Sequence, residues 1–115
     1  MDLLKVYGSF SDGTRLRILH LLTHRKSLCV CHIQSVLEEP QVKISRHLAY
    51  LRRRELVEFT QKGNWRYYSL PKPCTKEFKL NLKCLRTLAG EHATFQRDLE
   101  RLDSHAPEVE ACASC

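Results

Sequence analysis

The apolar positions fall first into helical spacing, then briefly into strand spacing, then into helical spacing again. Leu4, Val6 and Tyr7 supply the packing side of a short helix over Leu3 to Phe10. Ser11-Asp12 is a good N-cap for a second helix over Thr14 to His24. Its stripe is Leu16, Ile18, Leu19 and Leu22, with Arg15 and Arg17 facing away and His20 and His24 one turn apart on its surface. Leu28 to Leu37 predicts a third short helix, with Cys29 and Cys31 in its first turn or just before it. Glu38-Glu39-Pro40 is a turn, and Pro40 suits the start of a helix from Gln41 to Arg54, where its missing N–H costs nothing. Ile44, Leu48 and Leu51 mark the buried side of that helix, and Lys43, Ser45, Arg46 and His47 lie off it.

The period then shortens. Leu56 to Thr60 and Trp65 to Leu70 are rich in strand formers and are joined by Gln61-Lys62-Gly63-Asn64, in which Gly63 is free to take a positive φ. Trp65, Tyr67 and Tyr68 are expected to pack within this hairpin. After Pro71 and Pro73 the helical spacing returns at Phe78, Leu82, Leu85, Leu88, Phe95, Leu99 and Leu102, which predicts one long helix from Thr75 to Leu102. A helix of that length cannot bury itself against so small a domain, so the same helix of a second copy is expected to cover it. The predicted fold is mainly α with a small β-hairpin wing. Two short helices joined by a tight turn, the second basic outside, then a basic-tipped hairpin, make a winged helix-turn-helix that dimerises through terminal helices. Residues 1–106 form one DNA-binding and dimerisation domain on this reading, and 107–115 an acidic, cysteine-bearing tail expected to be mobile.

Charge sharpens the picture. The chain carries a formal +6 from 19 Lys and Arg against 13 Asp and Glu. From Gln41 to Leu70 there are seven basic residues and two acidic ones, so five of the six net charges sit on the second motif helix and the hairpin. A solvated helix surface is the plain reading of such a run, and a nucleic-acid-binding face is the functional one. Gln41, Lys43, Ser45, Arg46 and His47 on the helix, with Lys62, Asn64 and Arg66 on the hairpin, are the candidate DNA contacts. With no leader pattern and no apolar run long enough to span a bilayer, a cytoplasmic protein with no membrane partner is expected.

Six cysteines in a chain of 115 residues without a secretory leader point to metal capture or thiol redox rather than to a disulfide framework. Thiolates select soft, thiophilic ions. Cys29 and Cys31 are the first candidates, and a helix start lowers thiol pKa. Residues two apart on a regular helix point to nearly opposite sides, so one ion held by both would bend the helix start beside the DNA-reading helix. Cys112 and Cys115 form a C-x-x-C pair, either completing that site or acting as a redox-labile tail. Cys74 and Cys84, ten apart, read first as packing residues and second as a further site. No nucleophile with its base and no phosphate-cradling glycine loop is visible, so neither an enzyme nor a catalytic cofactor is expected. A structural zinc module would need close paired C-x-x-C motifs.

Four segments in order resemble the ArsR family of bacterial metalloregulators. Ser11-Asp12-Gly13-Thr14-Arg15-Leu16-Arg17-Ile18-Leu19 resembles its opening helix, Leu28-Cys29-Val30-Cys31-His32-Ile33 its arsenic-binding box, Ile44 to Arg52 its recognition helix, and Gly63 to Leu70 its wing. The resemblance implies a homodimer on an inverted-repeat operator in double-stranded DNA. It also implies release when As(III) or Sb(III), the inducer, is captured by cysteine thiolates, in repression of an arsenic-resistance operon. His32 stands where the family commonly has Asp, and Gln34 where three-sulfur arsenite sensors carry a third cysteine. The third sulfur comes from elsewhere, or the site uses two. A redox-responsive or other thiophilic-metal-responsive repressor of the same fold is the alternative.

Overall fold

The computed structural model describes residues 3–105. Its elements are α1 (Leu3–Ser9), α2 (Gly13–His24), β1 (Leu28–Cys29), α3 (Val30–Leu37), α4 (Gln41–Arg53), β2 (Glu58–Lys62), β3 (Trp65–Ser69), α5 (Lys76–Ala89) and α6 (Ala93–Ser104). The Asp12 carboxylate caps α2 by accepting the Arg15 N–H at 3.1 Å, and the Thr75 hydroxyl caps α5 by accepting from Phe78. Gly63, at φ 61°, makes the tight turn between β2 and β3. The sheet is antiparallel in the order β1-β3-β2. Beneath it, Ile18, Leu19, Ile33, Ile44, Leu48, Leu51, Phe78 and Leu102 are fully buried in one core. This is a winged helix. No helix among the described residues is long and apolar enough to cross a membrane.

Four expectations change. Leu28 and Cys29 form a strand rather than a helix start, pairing with Tyr68 and Tyr67 of the wing. The expected long helix breaks at Gly90–His92: α5 ends there, and α6 folds back to bury Asp98 and Leu102 against α2 and α3. Folding back buries in one chain apolar surface that a continuous helix would leave for a partner.

Arg17 does not face away. It donates to both carboxylate oxygens of fully buried Asp98, Nε to Oδ2 and Nη2 to Oδ1, each at 2.8 Å, and Nη2 also donates to the Leu37 carbonyl at 2.9 Å. Donation to the Asp98 carboxylate holds the Arg17 guanidinium above its ordinary pKa. Arg101 donates to Asp98 at 2.9 Å and to the Val36 carbonyl. Both arginines therefore carry the end of α3 on a shared buried carboxylate. His20 is likewise buried, its ring edge-on to His24 and Phe95. Burial, aided by the His24 charge, pushes its pKa down to about 4.

Candidate metal centre and DNA-binding surface

Cys29 is the residue just before α3, extended at φ −80° and ψ 158°, and Cys31 lies in the first turn. The extended backbone resolves the conflict of direction expected for two helical residues two apart. With Cα atoms 5.4 Å apart, the two sulfurs meet and are joined as a disulfide. Nδ1 of His32 lies 3.3 Å from the Cys29 sulfur. The donor atoms of Cys29, Cys31 and His32 all fall within 4.8 Å of one another, the only such group of three among the described residues. Cys29 and His32 are buried and Cys31 is half-buried, which leaves it as the entry point. Cys29 and Cys31 pack on the buried ring of Tyr67. The cluster thus rests on the wing as well as on the start of α3.

In the reduced protein the same positions offer two thiolates and an imidazole in reach of one point, a set that suits a soft or borderline ion. His32 stood in the sequence only beside the cysteine box. The turn of helix after Cys29 brings its ring back over that sulfur, the i, i+3 relation of a helix start. Cys74 and Cys84 do not join the group. Cys74 donates its thiol to the Pro71 carbonyl at 3.0 Å, and burial raises its pKa. Cys84 is exposed on α5. Cys112 and Cys115 lie outside the described residues.

On α4 the exposed strip runs through Gln41, Val42, Ser45, Arg46 and Ala49. Val42 and Ala49 were not singled out from the sequence, although they share the period of Ser45 and Arg46. An exposed apolar side chain on a reading helix can meet a thymine methyl. Lys43 sits at the edge of the strip, 3.2 Å from Glu39. His47, expected among the exposed residues, turns its half-buried ring toward Arg15 and Asp12. Burial lowers its pKa. Burial alone would raise that of Asp12, but the Arg15 N–H and the His47 charge outweigh it and hold the carboxyl below its usual range.

Lys62, Asn64 and Arg66 are exposed on the wing, and Trp65 is partly so, whereas Tyr67 and Tyr68 are buried. The Phe59 ring is flanked by Arg52 at 4.4 Å and Arg66 at 4.5 Å, which ties the end of α4 to the wing. Tyr50 is flanked in the same way by Arg15 and Arg54. Arg52 and Arg54 are thus occupied by aromatic rings rather than simply solvated.

The family described as bacterial regulatory protein, arsR family, matches over residues 12–58. The chain is 38% identical over 73 residues to the uncharacterized HTH-type transcriptional regulator MJ1325 of Methanocaldococcus jannaschii, covering 64% of this chain and 82% of that one. It is 43% identical over 65 residues to the arsenic resistance transcriptional regulator ArsR1 of Pseudomonas putida, covering 56% of this chain and 51% of the relative. The match thus spans about half the length of ArsR1. Among solved structures, HlyU from Vibrio cholerae superposes with a TM-score of 0.67 at 30% identity, over 75% of this chain and 89% of the other.

Proposed function

The chain belongs to the arsR family of bacterial regulatory proteins, a family of DNA-binding regulators rather than enzymes, and from that premise we propose that it represses an arsenic-resistance operon. On this reading a homodimer holds an inverted-repeat operator and lets it go when Cys29 and Cys31 capture trivalent arsenic or antimony. The observation that carries the reading is the seat of the two sulfurs, at the start of the first helix of the DNA-binding motif and against Tyr67 of the wing. ArsR1 of Pseudomonas putida, named for arsenic resistance, supports the choice of ion.

The DNA-reading half is α4, whose Gln41, Ser45 and Arg46 reach base edges while Lys43 steadies the register. Arg46 suits a guanine and Gln41 an adenine. Lys62, Asn64 and Arg66 of the wing hold the backbone or the minor groove. For the dimer, Leu3, Leu4 and Tyr7 of α1 and Leu80 and Leu88 of α5 are exposed, and α1 packs on α5. A two-fold partner covers that apolar face with the same face of its own. Residues 1–106 serve as the working domain, and Cys112 and Cys115 of segment 107–115 are candidate additional donors.

Bound trivalent arsenic or antimony would supply an electrophilic centre that accepts electron pairs from thiolate sulfur. Cys31, the more exposed, makes first contact. Cys29 would close the chelate, each new bond to sulfur replacing a hydroxyl of arsenite, which would leave as water with the thiol proton. The His32 imidazole, beside the Cys29 sulfur, receives a proton or completes the donor set. Opening the sulfurs around an ion shifts Cys29, and with it the pairing of β1 to Tyr67, so the wing moves relative to α4. A coupling of about 1–3 kcal/mol is ordinary for such a device.

A second reading is favoured by the Cys29–Cys31 disulfide itself: oxidation of the two thiols, with peroxide as the two-electron acceptor, is the signal. One titration separates the two. Labelled operator DNA with reduced protein is followed by fluorescence anisotropy while arsenite is added, in the parent and in Cys29→Ser and Cys31→Ser. Release in the parent alone supports the arsenic reading. Release by peroxide but by no arsenical supports the redox reading. Retention of DNA under both overturns the sensor.

A further inference from the structure

A second site opens on the other side of α5 from the exposed leucines. The end of α2, the segment after β3 and the middle of α5 line an open groove of about 730 Å³, within the ~300–1,000 Å³ usual for small-molecule sites. Its floor is apolar, formed by Leu22, Leu70, Pro71 and Leu82. Its rim carries Arg25, Lys26, Lys72, Lys79, Lys83 and Arg86, and no acidic residue lines it. Lys79, Lys83 and Arg86 recur at four and three residues and so share one face of α5.

Four of the six cations are not spent elsewhere. Arg25 pairs with Asp103 at 3.1 Å, and Arg86 leans on His24 at 3.5 Å. Lys26, Lys72, Lys79 and Lys83 make no ion pair among the described residues. The thiol of Cys74, in the same wall, is turned to the Pro71 carbonyl and is held protonated by burial, so it adds no negative charge. None of the six belongs to α4 or to the hairpin that read DNA. A ring of like charges, four of them unpaired, costs self-repulsion, which an anion seated among them relieves. An apolar floor beneath it calls for an apolar body on the same molecule.

We propose that this groove binds an amphipathic organic anion, a carboxylate or phosphate ester carrying an apolar chain, with its headgroup among Lys79, Lys83 and Lys72 and its chain on Leu22, Leu70 and Leu82. The long, exposed lysines move to meet headgroups of either kind, so the charge and the chain select the ligand.

The test is calorimetric titration of the full chain with octanoate, octyl phosphate, octanol and inorganic phosphate, in the parent and in Lys79→Glu/Lys83→Glu. Octanoate or octyl phosphate should bind the parent at least about tenfold more tightly than octanol or inorganic phosphate, and the double variant should lose about tenfold. The two anionic probes tell whether the headgroup is carboxylate or phosphate. Both substituted lysines are exposed, so the melting temperature of the variant should match the parent and exclude misfolding. Equal binding of octanol, equal binding of inorganic phosphate, or unchanged binding in the double variant would overturn the proposal. So would a double variant that binds octanoate normally but loses operator affinity, which would make the groove a DNA-backbone contact.

Discussion

At its C-terminal end α3 gives its carbonyls to two arginines that share the buried carboxylate of Asp98; at its N-terminal end it begins with two sulfurs and an imidazole leaning on the wing. The helix is only eight residues long, yet its ends are held by different physics. Arg17 and Arg101 fix the turn into α4 with charge-assisted hydrogen bonds out of water, where the loss of one partner strands a charge. Cys29, Cys31 and His32, once the Cys29–Cys31 disulfide is reduced, are held only by packing and by one short stretch of strand pairing. A sensor needs both: a stiff end that keeps the reading helix in register, and a compliant end where new bonds can displace something.

The two ends of α3 should differ most at Asp98. Asp98→Ala takes both bidentate hydrogen bonds from Arg17, leaving it only the more distant Glu39 carboxylate at 3.5 Å, and should cost about 3 kcal/mol in urea unfolding. A loss below about 1 kcal/mol would mean that the clamp is not what fixes this end. Acid attacks the same side of the molecule. His20 titrates near 4 when folded and near 6.5 when unfolded, so between those values the unfolded chain binds the extra proton. The contribution of His20 to stability is therefore complete only above about pH 7 and falls as the pH drops toward 4, by something on the order of 2 kcal/mol. His24 and His47 are also held below their ordinary values and add in the same direction. His20→Gln isolates the contribution of His20 and should flatten the slope of melting temperature against pH in that window.

The compliant end should behave in the opposite way. Cys29→Ser or Cys31→Ser should leave urea unfolding and inducer-free operator affinity near those of the parent, while the roughly 5- to 150-fold weakening by arsenite disappears. If either substitution destabilises the chain as much as Asp98→Ala, the two ends are not different in kind. The smallest effect is expected at His32. Because its ring neighbours one sulfur, His32→Gln should raise the arsenite concentration for half-release about tenfold without abolishing release. An unchanged midpoint would remove the imidazole from the site.

What could be read along the chain is what depends on near neighbours. The cap at Asp12, the stripe of α4 and the turn at Gly63 were legible because helix and hairpin signals are local. So was the pairing of Cys29 with Cys31 as one candidate centre. Partners distant in sequence were not. Leu28 and Cys29 become a strand only because Tyr68 and Tyr67, some forty positions on, offer their backbones. Arg17 looked like a surface cation because its partner Asp98 is 81 residues away. The break at Gly90–His92 was hidden by an apolar period that continues across it.

The winged helix-turn-helix, the basic outer side of α4 and the sulfur-bearing start of α3 follow from local spacing and composition, which encode which side of each element avoids water. That His32 joins the two sulfurs, that α6 folds back, and that an apolar groove is ringed with basic side chains emerges only in the folded chain. Those features arise from contacts between elements, and burial rewards them only once the core has brought the elements together.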